Sequence, residues 1–365
     1  MELNLRKAII SIALPIMPFF FWGTAMVAMK GVIPHTTPLF VAGVRLLPAG
    51  ILILLTAMFL GRSQPRGWLA WSWIGFFALV DGIMFQGFLA EGLQRTDAGL
   101  GSAIIDSQPL AVAILSSWLF AETIGLWGWL GLSVGMVGLS LISLPDEWLL
   151  DLFKEGIFTT PNSWQHLFNS GELLMLLAAL SMAVGTIIIR YVCRYVDPIV
   201  ATGWHMIIAG FFLFLASGMV ESQQWQDISL NGWLELGYTT VFGGAIAYGI
   251  FFYLASSGSL TSLSSLTFLT PVFALTFGSI FLSEFLSVIQ WVGVSLTIVS
   301  IYLINQRDRI DAQLKFCKER IEVFYFYAKL NNENYNRDNI PSISTQLQGL
   351  TAEKPPVKVK NKLKP

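Results

Sequence analysis

Three ionisable side chains interrupt stretches of sequence that are otherwise almost free of charge: Arg45, Asp81 and Asp106. A charge within a membrane-spanning helix costs about 2.5–3.5 kcal/mol on insertion scales, so such a residue is a functional hypothesis by default. Asp81 and Asp106 have the chemistry to bind a cationic or amine group, or to carry a proton during exchange. The structural alternative is buried hydrogen bonding to neighbouring helices, or pairing with Arg45. His205 occupies the position equivalent to Arg45 at an offset of 160, and an imidazole that titrates near about 6.5 is a further proton site. Gln86 and Gln108 add amide donors and acceptors, Gln108 standing two residues after Asp106. On a regular α-helix Asp81 and Gln86 lie roughly 140° from eclipsed, so they do not share one narrow stripe. Trp22 is an aromatic site candidate. Pro109 and Pro271 remove helix hydrogen bonds and free carbonyls that bind a ligand or allow bending.

The elements that must position these groups follow from composition. The chain has 365 residues, 54% hydrophobic, 13% aromatic and only 12% charged. A soluble domain carries roughly 25% charge, and disorder needs low hydrophobicity with high net charge. A helix crosses the hydrocarbon core with about 20 apolar residues. Ten such spans are expected, at about 11–30, 38–60, 69–92, 98–120, 125–144, 172–194, 198–219, 233–255, 261–282 and 286–305. The apolar stretch after Arg6 and Lys7 exceeds a typical signal-peptide core and lacks a clean cleavage site, so it reads as a first span. The fold class is thus all-α and polytopic.

Lys and Arg in short loops set orientation. With the N-terminus inside, the inner side receives Arg6, Lys7, Arg62, Arg66, Arg190, Arg194 and a basic tail, and the outer side Lys30, Arg95 and Lys154. Both termini are expected to be cytoplasmic, in a multi-pass protein of the cell inner or plasma membrane. The acidic connection 145–171 then lies outside. The formal net charge of −1 conceals a body of net −6 and, over 307–365, a tail of net +5. Ile310, Leu314, Cys317, Ile321, Phe324 and Ala328 recur at helical spacing, which suggests an amphipathic interfacial helix over 307–330. The polar remainder, 331–365, reads as a disordered basic tail able to touch anionic lipid, with no nucleic-acid role. Cys193 and Cys317 match no disulfide framework or metal motif and read as unpaired thiols.

The two halves match at an offset of 162. Gly23-Thr24 matches Gly185-Thr186, Trp71 matches Trp233, and Gly75, Gly82 and Gly87 match Gly237, Gly244 and Gly249. Pro109 matches Pro271, Glu122 matches Glu284, and Trp129-x-Gly131-x-Ser133 matches Trp291-x-Gly293-x-Ser295. The repeats are 11–144 and 172–306. Each holds five spans, and an odd number inverts the second copy. Inverted repeats are a transporter design, since two similar halves can exchange conformations around a central site. The repeat, the Trp22-Gly23-Thr24 start and the two Pro…Glu spans followed by a Gly-rich helix resemble the EamA type of the drug/metabolite transporter superfamily. That resemblance implies ten helices, cytoplasmic termini, a central cavity lined chiefly by helices 1, 3, 4, 6, 8 and 9, and export or exchange of small metabolites.

No Walker-type phosphate loop or His-Glu-x-x-His pair occurs, so no ATP drive, metal, cofactor or enzyme activity is expected. The reading is a secondary transporter, an exporter or proton-coupled exchanger of small-molecule substrates working by alternating access. A phosphorylated-metabolite exchanger of the same fold is the alternative, although phosphate favours two or more cavity cations. A non-transporting membrane scaffold or enzyme would need a clustered catalytic set near one face, and none is visible. Glu122 and Glu284 read as caps for the helices that follow them, Glu91 and Arg95 as a surface pair, and the glycines from Gly125 to Gly138 as packing positions.

Overall fold

In lipid every backbone polar group must be satisfied within the chain, which restricts spanning segments to helices or closed barrels. The computed structural model describes residues 2–30, 32–95, 98–144, 171–226, 228–282 and 287–333, and the described residues are helical, with no strand. The helices are α1 (Glu2–Lys30), α2 (Pro38–Phe59), α3 (Trp68–Gly92), α4 (Gly101–Phe120), α5 (Gly125–Ser143), α6 (Gly171–Val192), α7 (Pro198–Val220), α8 (Leu230–Ala255), α9 (Leu260–Phe281) and α10 (Val288–Glu333). Among the described residues, nine of these have a length and hydropathy that suit a membrane crossing, and α1 adds the apolar stretch Ala13–Met29. The expected outer connection lies outside the described residues apart from Gly171, as do Glu284 and the tail beyond residue 333.

One boundary differs from expectation. The tenth span and the interfacial helix were expected as separate elements, but α10 is one helix, Val288–Glu333. It contains no proline to break its ladder. By chain contacts, residues 1–310 and 311–365 are separate units. In the second, residues 311–325 are exposed throughout, and Lys318 lies 4.0 Å from Glu322.

Within residues 1–310 the repeats are related by a pseudo-two-fold whose mates can be read from close contacts. α2 and α7 each begin at a proline, Pro38 and Pro198, and share the 160-residue offset of Arg45 and His205. Gly43 sits against Phe214 and Gly203 against Leu54; Gly50 sits against Ile207 and Gly210 against Leu47. Exchanging equivalent residues converts each contact into its partner. Likewise Gly82 packs on Ala209 and Gly244 on Ala49. These glycines let backbones approach closely where hydrophobic driving force between helices is weak.

Both third helices of the repeats change winding at the same place. Ala78–Met84 in α3 and Thr239–Ile246 in α8 are π-helical, with hydrogen bonds that skip one further residue. The α-helical angle between Asp81 and Gln86 therefore does not hold in α3. α4 and α9 break where their prolines forbid the ladder, since a proline ring clashes with the carbonyl four residues earlier. For Pro109 that residue is Ile105, at which the first piece of α4, Ala98–Ile105, ends. For Pro271 it is Thr267, inside a 3-10 turn, Leu266–Phe268.

The glycine series of α5 packs on α10. A Cβ at Gly131, Gly135 or Gly138 would crowd Ile304, Ser300 and Thr297 respectively.

Candidate functional site: a cavity beside the two-fold

Asp81 and His205 face each other in the middle of the bundle. His205 Nε2 lies 3.3 Å from Asp81 Oδ2, and both side chains are buried. The imidazole rests on Phe77, with ring centroids 4.0 Å apart, and meets the edge of Phe252. Gly185 of α6 leaves room for the carboxylate, because a Cβ there would overlap Asp81 Oδ1. Asp81 thus joins α3 to α6 and α7 across the repeats, and its partner is His205 rather than Arg45.

The mate of this pair is Gly243 with Arg45. A Cβ at Gly243 would lie 3.8 Å from Arg45 Nη2, so the arginine stands where the histidine stands, facing a position that carries no carboxylate. Arg45 Nη1 donates to Met29 Sδ at 3.0 Å, a weak acceptor. Its Nε is buried without a hydrogen-bond partner. Among the described residues no carboxylate pairs with it.

Arg45 opens onto a cavity of about 120 Å³. Gln86 lines it with Arg45, and Met29, Thr37, Leu89 and Gln94 complete much of the wall. The cavity runs from Arg45, about two turns into α2, toward the bundle end at which α1 ends, α2 begins and α3 ends. At its floor Gln86 Nε2 donates to the Tyr248 hydroxyl at 3.1 Å. Gln86 and Tyr248 are equivalent residues, separated by 162 positions. Equivalent residues touch each other only at the symmetry axis, so this bond marks the pseudo-two-fold. Trp22 Nε1 donates to the Gly243 carbonyl at 2.9 Å, and its ring stands edge-on to Tyr248.

The other candidates lie off the cavity. Asp106 is buried at the break in α4, where its carboxylate accepts from Ser102 Oγ at 3.2 Å. Gln108 is fully buried and bridges two helices, donating to Thr186 Oγ1 at 3.1 Å and accepting from Thr267 Oγ1 at 3.4 Å. Pro109 and Pro271 set the two breaks. Neither Asp81 nor Asp106 is among the cavity's lining residues. Residue reading alone missed Tyr248, Gln94 and Thr37; the 162-residue offset from Gln86 carried the signal for Tyr248.

At the opposite end of the bundle polar links join the helices. Arg62, after α2, donates to Asp197 at the start of α7, 3.2 Å, and Asp197 also caps α7 through Ile199 N and Val200 N. Arg190 of α6 donates to the carbonyls of Ala255 and Gly258 and lies over the Phe120 ring. Glu122 accepts from Ser259 Oγ at 2.5 Å and Arg307 Nη2 at 3.1 Å. This corrects the expected role of Glu122: α5 has no side-chain cap, and the carboxylate turns to α9 and α10, where charge-assisted donors are stronger than backbone amides. Burial raises the Glu122 carboxyl, but the Ser259 hydrogen bond and the Arg307 charge, with help from Thr261, hold it below its ordinary value. At the cavity end, Glu221 after α7 accepts from Thr37 Oγ1, Leu39 N and Phe40 N, capping α2 from across the bundle. Glu91 and Arg95 form an exposed pair at 2.8 Å.

Nine apolar helices long enough to cross a membrane, among the described residues, and the apolar stretch of α1, in two inverted halves with a largely apolar cavity beside the axis, define a transporter-type membrane protein. Comparison with known proteins agrees. The EamA-like transporter family matches residues 9–144 and 169–306. The chain belongs to the EamA-like transporter family. It is 62% identical over 312 residues to an uncharacterized transporter of Synechocystis sp., covering 86% of this chain and 93% of that one. It is 53% identical over 294 residues to a chloroplastic WAT1-related protein of Arabidopsis thaliana, covering 80% and 68%. A solved crystal structure, at 15% identity, shares the fold with a TM-score of 0.67 over 80% of this chain and 94% of that one.

Proposed function

We propose that this transporter is a secondary carrier that exports or exchanges small metabolites by alternating access, with protons as the coupling ion. The observation that carries the reading is the inverted symmetry itself: one end of the bundle holds the cavity, polar links join the helices at the other, and the two halves have equivalent contacts to exchange. A mid-membrane Asp–His pair that bridges the repeats is a proton-carrying group at the place where the halves must move against each other. With both termini cytoplasmic, as the Lys and Arg distribution supports, the cavity faces outward and the Arg62, Arg190 and Glu122 links lie at the inner side.

The test is a counterflow screen. Purified full-length protein is reconstituted in liposomes, loaded with a metabolite mixture and challenged with proton and substrate gradients. Accumulation of specific solutes is expected, with a pH dependence that Asp81→Asn flattens. If no metabolite moves under any gradient, the carrier reading falls. If flux persists in Asp81→Asn with its pH dependence intact, the proton role of the Asp–His pair falls while transport stands. The single guanidinium in the cavity weighs against a phosphorylated substrate, which favours several cations.

A further inference from the structure

We infer that the cavity is a carboxylate site, built for a small monoanion with an apolar body and anchored by Arg45. This rests on the carrier reading only for its transport consequence; the binding claim stands on the cavity. A guanidinium held within the membrane without an anion is costly. The mate position differs: His205 faces Asp81 at 3.3 Å, although Asp81 Oδ1 and Oδ2 and His205 Nδ1 make no hydrogen bond, whereas Arg45 faces Gly243. The carboxylate present in one half is absent in the other, and the place it would fill adjoins a cavity. A ligand carboxylate supplies that missing charge, and the planar guanidinium takes it with two parallel hydrogen bonds.

The remaining lining sets the rest of the ligand. Gln86 and Gln94 offer amide groups, while Met29, Val41 and Leu89 present apolar surface. The volume, about 120 Å³, suits a carboxyl group with a short carbon chain. Among the described residues no Asp or Glu lines the cavity. Glu221, which reaches the lining residue Thr37, is engaged by that hydroxyl and two backbone amides. An ammonium group would therefore lack a partner, and a zwitterionic amino acid should bind less well than its deaminated counterpart. A phosphate ester would bring two charges to one cation.

The experiment uses full-length protein in detergent micelles and radiolabelled 4-methylvalerate, with binding measured by scintillation proximity. Competitors are straight and branched monocarboxylates of three to six carbons, 4-methylvaleramide, leucine and 3-methylbutyl phosphate. Carboxylates should compete, with the amide, leucine and the phosphate ester weaker by roughly tenfold or more, a difference that about 1.4 kcal/mol supplies. Arg45→Gln should weaken binding by roughly thirtyfold, and Arg45→Lys, which keeps the charge but loses the fork, by less. A measurement on unmodified protein guards against misfolded variants: 4-methylvalerate should slow modification of Arg45 by phenylglyoxal, read by peptide mass spectrometry. The inference is overturned if no carboxylate in the panel binds or protects Arg45, if Arg45→Gln binds as wild type, or if leucine or the amide binds more tightly. Carboxylate binding that depends on Arg45 without flux in liposomes would sink the carrier reading and leave this site. Flux of other solutes that ignores Arg45 would do the reverse.

Discussion

Two stations related by the pseudo-two-fold have opposite electrostatic fates. At one, a buried carboxylate and imidazole face each other, enclosed by Phe77, Phe252 and Gly185. At the other, a guanidinium faces a glycine and opens onto a cavity. The backbone contacts around them are equivalent, since Gly82 lies near the His205 carbonyl just as Gly244 lies near that of Arg45. The scaffold is symmetric there, and the asymmetry lies in the side chains: one station encloses a facing carboxylate and imidazole, the other leaves a guanidinium beside a cavity. The first station should be sensitive to loss of a partner and the second should not.

The largest effect expected from this contrast is on Asp81→Ala. Removing one member of a buried pair typically costs about 3–5 kcal/mol, because the other is left uncompensated. Arg45→Met strands no charged partner, only the Met29 thioether, and should leave stability unchanged or higher. Denaturant titration in mixed micelles measures both. Equal losses at the two sites would break the comparison and imply a partner for Arg45 in the folded protein. Next in size is Gly185→Ala, where the new methyl overlaps Asp81 Oδ1. Overpacking of this kind costs about 1–3 kcal/mol, and the carboxylate must also leave its place beside His205. The pH dependence of transport should weaken in the same variant.

The linked end has its own dependence on pH. Glu122 has a folded-state value below its ordinary 4.5, so its contribution is complete above that value and is lost as pH falls through the lower, folded-state one. Glu122→Gln should remove about 2 kcal/mol, the scale for hydrogen bonds to a charged group, and flatten the acid limb of a stability profile. If that limb is unchanged, the link through Ser259 and Arg307 contributes nothing measurable. Tyr248→Phe is smaller again. It deletes the one bond that lies on the axis, from Gln86, and should cost about 1 kcal/mol. Because Gln86 lines the cavity, 4-methylvalerate binding should change more than stability does.

Much of this was legible in the residues, for identifiable reasons. Charge in hydrocarbon is expensive, so Arg45, Asp81 and Asp106 stood out without any structure. Pro109 and Pro271 announce the helix breaks through their ring geometry, and the 160-residue offset equated Arg45 with His205; the 162-residue offset also carried the match of Gln86 to Tyr248, which went unread. The partners themselves were not legible. That Asp81 meets His205, that Gln108 bridges Thr186 and Thr267, and that Glu122 and Glu221 reach across the bundle all depend on the register of helices distant in sequence. The π-helical turns in α3 and α8 were hidden for a similar cause. Asp81 apart, nothing in Ala78–Met84 differs in composition from an ordinary span.

The smallest predicted effect separates two classes among the repeat-matched glycines. Gly82 and Gly244 meet alanine side chains across the bundle, whereas Gly75 and Gly237, equally matched, have nothing within 4 Å of an added Cβ. Gly75→Ala and Gly237→Ala should therefore change stability by no more than about 1 kcal/mol, in the stabilising direction, since alanine is the better helix former. Flux should also be unchanged if those faces meet only lipid. Symmetric glycines with open surroundings in this conformation have a second explanation, however: they are kept free for a neighbour that arrives in the other one. Loss of flux at unchanged stability, in both variants, would establish that explanation and place helix contact at Gly75 and Gly237 in the alternate state.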